Sequence, residues 1–159
     1  MTNEFADKPN NFPWPPVLLL VSFLVGYALK WFAPLPWLVG GAATLAFWFG
    51  VAVVVVAVAI DLLAMATLSR GATTVLPHRR SDNLVTGGVF QFSRNPIYVA
   101  NVMLILGIGL ISSNLWLALL APLNGYLTQR LAIIREEAHL TAQFGDAYTV
   151  YCAKVRRWL

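Results

Sequence analysis

The feature that most constrains this chain is the length of its uncharged runs. No Asp, Glu, Lys or Arg falls between Phe12 and Leu29, between Trp37 and Ile60, or between Asn95 and Gln129. A hydrocarbon core about 30 Å thick is crossed by roughly 20 apolar residues in a helix. Backbone groups surrounded by lipid must bond within the segment, which helices achieve. The first run has 18 residues and the second 24. Val51–Ala59 alone would read as a buried strand, but the longer run that holds it predicts a spanning helix. Hydrophobic residues make up 58% of the 159, charged residues 11%, and mean hydropathy is +0.68. Soluble domains hold about 45–50% apolar and about 25% charged residues. A soluble globule of this size cannot hide so much apolar surface, and the same numbers exclude intrinsic disorder. One cysteine, Cys152, excludes an internal disulfide. With two histidines, no metal site is expected.

The expected fold is an all-α integral membrane bundle of about four transmembrane helices, with a cytoplasmic loop and a C-terminal interfacial helix, in a single membrane domain over 1–159. Residues 12–33 and 37–61 form the first helical pair, punctuated by Pro34 and Pro36. Residues 70–96 form a polar, turn-rich loop that holds Arg70, Arg79, Arg80 and Arg94. Residues 97–130 form a helical hairpin broken at Ser112-Ser113-Asn114, each arm rising about 23 Å. Residues 135–159 have mixed charge and are expected at the interface. The start is not basic and lacks a small-residue cleavage site, unlike a signal peptide. Nine of the eleven Lys and Arg lie at or after Arg70. The positive-inside rule therefore puts loop and tail in the cytoplasm, and an even number of spans puts the N-terminus there too. This topology accounts for the net charge of +4 without nucleic acid.

Polar residues concentrate at the two ends of the hairpin. Before it comes Leu84-Val85-Thr86-Gly87-Gly88-Val89-Phe90-Gln91-Phe92-Ser93-Arg94-Asn95-Pro96-Ile97-Tyr98. After it come Arg130, then Arg135-Glu136-Glu137-Ala138-His139-Leu140, then Phe144-Gly145-Asp146-Ala147-Tyr148 and Tyr151. A hairpin returns the chain to the face it left, so Arg94, Asn95 and Tyr98 are expected near Arg130, Glu136 and Glu137. Each part also has a plainer role: a turn at Gly87-Gly88, a helix start at Pro96, surface ion pairs at Glu136 and Glu137, interface aromatics at the tyrosines. Two ordered polar strings around one hairpin favour a site. Glu137 follows Arg130 by seven residues and so shares its helical face, which makes Glu137 the inner glutamate.

The two strings resemble those of the isoprenylcysteine carboxyl methyltransferase-like family. Leu84-Val85-Thr86, Gly88, Phe90, Phe92-Ser93-Arg94, Pro96 and Tyr98 match its first string. Glu136-Glu137-Ala138-His139-Leu140, Phe144-Gly145, Tyr148, Tyr151 and Val155-Arg156-Arg157-Trp158 match its closing one. Asn95 stands where most members have His; the phospholipid N-methyltransferases, which the chain also resembles, carry Asn there. Gln91, Val89 and Arg156 depart from the usual residues.

The resemblance implies an integral membrane methyltransferase that uses S-adenosylmethionine. Its cofactor pocket opens to the cytoplasm, and its lipophilic acceptor enters from the bilayer. Carried onto this chain, Arg94 and Glu137 are the catalytic positions. Gly88, Phe90, Asn95, Pro96, Tyr98, Arg130, Glu136, Glu137 and Tyr148 bind the cofactor. The residue types suit it independently: glutamates for its ammonium, arginines for its carboxylate, and aromatic faces for the sulfonium or adenine. Asn95 cannot titrate, which closes any mechanism that needs His as base. Two other classes share the pattern, an NADPH-dependent sterol-type reductase and a non-enzymatic membrane subunit. Neither the acceptor nor the oligomeric state is written in the sequence.

Overall fold

The computed structural model describes residues 12–70 and 83–159. The start of the chain, with its expected location, and most of the basic part of the expected loop, with Arg79 and Arg80, lie outside the described residues. Everything regular among the described residues is helical. The order is α1 Trp14–Phe32, α2 Gly40–Arg70, a 3-10 turn Gly88–Gln91, α3 Pro96–Ile111, α4 Leu115–Thr128, a π turn Gln129–Ile133, α5 Ile134–Phe144 and α6 Asp146–Lys154.

Three helical stretches are long and apolar enough to cross a membrane: Trp14–Phe32, Gly40–Arg70 and Leu115–Phe144. A fourth apolar helix, α3, has 16 residues. The expected helical membrane bundle is what the chain forms. Two boundaries differ from the sequence reading. Helix α2 continues past Asp61 to Arg70, because Leu62-Leu63-Ala64-Met65-Ala66 are strong helix formers and one carboxylate does not end a helix. The second hairpin arm does not stop at Arg130 but runs on through the π turn into α5.

The chain divides into two compact units. One comprises Pro15–Ala59 and Tyr98–Leu127. Its core is Ile105, Leu117 and Ala121, packed by Leu19, Phe23, Val102, Leu106 and Ile108. Helices α2 and α3 approach closely at two glycines. A Cβ on Gly107 would stand 3.0 Å from the Gly50 carbonyl oxygen and 2.7 Å from Val54 Cγ2. Small residues at such crossings are the usual means of helix association in lipid.

The buried polar residues Ser22, Asn114 and Asn124 of this unit are neutral and bonded. Asn114 Nδ2 donates to the Gly26 carbonyl at 3.0 Å, and its Oδ1 accepts the Trp116 N–H at 3.1 Å. Asn124 Nδ2 donates to Ser22 Oγ at 3.0 Å. Lys30 Nζ donates to the Ser112 carbonyl at the end of α3, where a cation complements the helix dipole.

The other unit comprises, among the described residues, those of Ile60–Ile97 and Thr128–Leu159. Within it, α5 packs on α6 across a turn at Gly145. Gly88 has φ +58°, and a Cβ there would come within 2.7 Å of Thr67 Oγ1. Both its backbone angle and the space beside it therefore call for glycine.

Candidate active site

The polar residues of this second unit converge on the segment just before α3. Tyr151 OH donates to the Phe90 carbonyl at 2.6 Å, fixing the 3-10 turn. Buried Ser93 accepts the Asn95 N–H on its Oγ at 3.1 Å, and Pro96, also buried, opens α3. The last residues of the chain lie along this segment as a strap. The Arg94 N–H donates to the Arg156 carbonyl at 3.0 Å. Ser93 Oγ and Asn95 Nδ2 donate to the Arg157 carbonyl at 3.3 and 2.9 Å. Asn95 is thus a brace for the strap, which accounts for an amide where a titrating ring is not needed.

Two guanidinium groups meet one carboxylate here. Arg157 clamps Glu137 in a fork, Nε to Oε1 at 2.9 Å and Nη2 to Oε2 at 2.6 Å. Arg94 Nη2 reaches Glu137 Oε1 at 3.2 Å. Arg94 Nη1 donates to the Cys152 thiol. The Arg94 and Glu137 side chains are 13% and 16% exposed, that of Arg157 35%, so Arg157 is the outer member. Three formal charges leave an excess of one positive. Arg94 Nε is buried without a hydrogen-bond partner. A carboxylate offers about four acceptor directions, and three are taken on Glu137. The cluster therefore retains one unused buried donor and one unused acceptor direction.

Two tyrosines line the same unit. Tyr148 and Tyr151 are buried, their ring centroids 6.1 Å apart. Burial pushes the Tyr148 phenol far above its ordinary range, helped by the negative field of Glu137 and by Cys152. Burial likewise pushes Tyr151 up to about 12, against the opposing pull of Arg94. Both are neutral phenols at any physiological pH.

Not every residue expected at the site joins this cluster. Arg130 is exposed. A π turn covers residues 129–133, and its wider turn rotates everything that follows relative to an uninterrupted α-helix. The seven-residue spacing from Arg130 to Glu137 therefore does not put them on one face. Glu136 is half-buried on α5, but the carboxylate that orients Arg94 belongs to Glu137. Tyr98, two residues into α3, belongs to the other unit. Gly88 and Phe90 form the 3-10 turn, with Phe90 held through its carbonyl.

The sequence reading missed the parts played by Arg157, Cys152 and Tyr151. Arg156-Arg157-Trp158 in the closing string was the available signal. Trp158 Nε1 donates to Gln129 Oε1 at 2.7 Å, which ties the strap to the π turn.

Apolar spanning helices and a half-buried Arg–Glu–Arg cluster define an integral membrane protein with a charged site. Residues 45–147 match the family described as phospholipid methyltransferase, and the chain belongs to that family of membrane methyltransferases. It is also similar to the nickel-cobalt-cadmium resistance protein NccN of Alcaligenes xylosoxydans xylosoxydans, at 33% identity over 82 residues. That stretch is 51% of this chain and 38% of NccN, so the chain spans well under half of that relative's length. Tyr148, Tyr151, Cys152 and the strap lie beyond the stretch that matches the family.

Proposed function

We propose that the chain transfers a methyl group from S-adenosylmethionine to a lipophilic or amphiphilic acceptor at the cytoplasmic membrane face. The acceptor class comprises prenylcysteine-type carboxylates, phospholipid amines and small hydrophobic acids, thiols or amines. The observation that carries the reading is the Arg94–Glu137–Arg157 cluster, with its unused donor and acceptor, in a chain of a methyltransferase family. When bound, S-adenosylmethionine supplies an electrophilic methyl group on a sulfonium.

The residues present fit such a group. Arg94, through its unused Nε, receives the carboxylate. Glu137 offers its remaining acceptor direction to the ammonium. The faces of Tyr148 and Tyr151 suit a sulfonium, a contact of about 0.5–2 kcal/mol. Holding the reactants in line is the main requirement of a displacement, and orientation alone lowers a barrier by roughly 7–11 kcal/mol. Neither neutral phenol acts as a base near pH 7, and Glu137 is engaged by two arginines. An amine acceptor must therefore lose its proton elsewhere, whereas a carboxylate or thiolate needs no such step.

Titration calorimetry on the detergent-solubilised protein tests this. S-adenosylmethionine and S-adenosylhomocysteine are expected to bind and NADPH to give no heat. Binding of NADPH alone would make the chain a reductase, and no binding of any of the three a non-enzymatic subunit. The proposed orientation, with the 112–114 turn outside, predicts that Ser113→Cys in a Cys152→Ser background reacts with an impermeant thiol reagent added externally. Labelling only from the cytoplasmic side would reverse it.

A further inference from the structure

We propose that Arg157 is a positioning residue, which fixes where the Arg94 guanidinium points by clamping Glu137 through two bonds. The proposal rests on the cluster being the working site. A guanidinium fork matches a carboxylate edge to edge, so two parallel bonds set the carboxylate's orientation as well as its place. Arg157 makes both contacts, at 2.9 and 2.6 Å, while Arg94 takes one longer contact on the same Oε1. The orientation of Glu137 is therefore set by Arg157, and Arg94 follows it.

The backbone of the strap does the same work from the other side. All three residues of 93–95 donate to the carbonyls of Arg156 and Arg157. One short segment thus holds Arg94 by its own backbone, by both chain neighbours and by its ion-pair partner. Trp158 anchors that segment on Gln129. Arg157 is the more exposed arginine, which suits a brace on the wet side of the cluster, with Arg94 as the inner group.

Cys152 provides a reporter that needs no cofactor. It is the chain's one cysteine, and its thiol accepts a hydrogen bond from Arg94 Nη1. The thiolate is the species that alkylates, so a displaced Arg94 changes the rate. Alkylation is measured on folded, ligand-free protein at one fixed alkaline pH. In Arg157→Gln the released Glu137 draws Arg94 away from the thiol, and the cluster loses its excess positive charge. Alkylation should slow by roughly three- to tenfold. Arg157→Lys restores the charge without the fork, so its rate should fall between the two. In a Glu137→Gln background, Arg157→Gln should add only the small direct effect of its charge on the thiol, because the route through Glu137 is gone. An unchanged rate in Arg157→Gln, complete rescue by lysine, or a full additional effect in the Glu137→Gln background would each overturn the proposal. If Arg157→Gln does not fold, the lysine variant and its own Glu137→Gln cycle decide by the same criteria. Should the rates behave as expected while the wild type binds no S-adenosylmethionine, the cofactor reading fails and the positioning role stands.

Discussion

The two units of the molecule solve the burial of polar groups in opposite ways. In the unit of Pro15–Ala59 and Tyr98–Leu127, buried side-chain bonds run between amides, hydroxyls and carbonyls, and helices meet at glycine. In the unit that contains Thr128–Leu159, the bonds run through two guanidinium groups and a carboxylate. The difference follows from the surroundings each must tolerate. Lipid offers no hydrophobic drive between helices, so close packing and satisfied neutral groups hold the first unit. Charge-assisted bonds, about twice as strong as neutral ones, hold the second.

Disrupting the glycine crossing should have the largest effect on the first unit. In Gly107→Leu the new side chain meets the Gly50 carbonyl, which cannot rotate away. Overpacking of this kind costs about 1–3 kcal/mol. Thermal unfolding in detergent should show a lowered midpoint, and an unchanged one would mean that the helices are free to separate there.

In the second unit, Arg94→Lys removes a forked donor and supplies a point charge. We expect turnover to fall on the order of a hundredfold with the fold intact, as measured with a lipophilic acceptor in vesicles. Near-normal turnover would make Arg94 a structural or lipid-phosphate anchor.

These two substitutions also separate what the sequence made legible from what it hid. The spans were legible because absence of charge over 18 or more residues has few physical explanations. Arg94 and Glu137 were legible because two polar strings bracket one hairpin. The π turn was not, because an extra residue in a helical turn leaves no mark on hydropathy, and the 3.6-residue period then misplaced Arg130. Arg157 was hidden for a different reason. A short irregular tail has no period to read, and its grip on 93–95 runs through backbone carbonyls that any residue supplies.

A smaller effect is expected from alkali, again in the second unit. An unfolded tyrosine ionises near its ordinary value of 10.0, whereas folded Tyr151 is held to about 12 and Tyr148 is also raised. A folded value above the unfolded one stabilises fully below pH 10 and is lost as the pH rises through about 12. Phenolate absorbance from these two rings should therefore appear together with loss of the folded near-ultraviolet circular dichroism. Phenolate formed with that signal intact would contradict the burial argument.

The smallest effect should come from neutral side-chain bonding in the first unit. Asn124→Ala removes the 3.0 Å bond to Ser22, and such bonds contribute about 0.6–1.7 kcal/mol within membranes. A loss comparable with that from Gly107→Leu would show that polar bonding, more than close packing, holds this unit.

On the proposed function, the charged unit holds S-adenosylmethionine through Glu137. The most direct test of this claim compares the S-adenosylmethionine affinities of wild type, Glu137→Gln and Glu136→Gln by calorimetry on folded, solubilised protein. A hydrogen bond to a charged group contributes about 1.5–3 kcal/mol. Glu137→Gln should therefore weaken binding about ten- to a hundredfold, and Glu136→Gln should weaken it less. Unchanged affinity in Glu137→Gln, or a larger loss in Glu136→Gln, would contradict the claim.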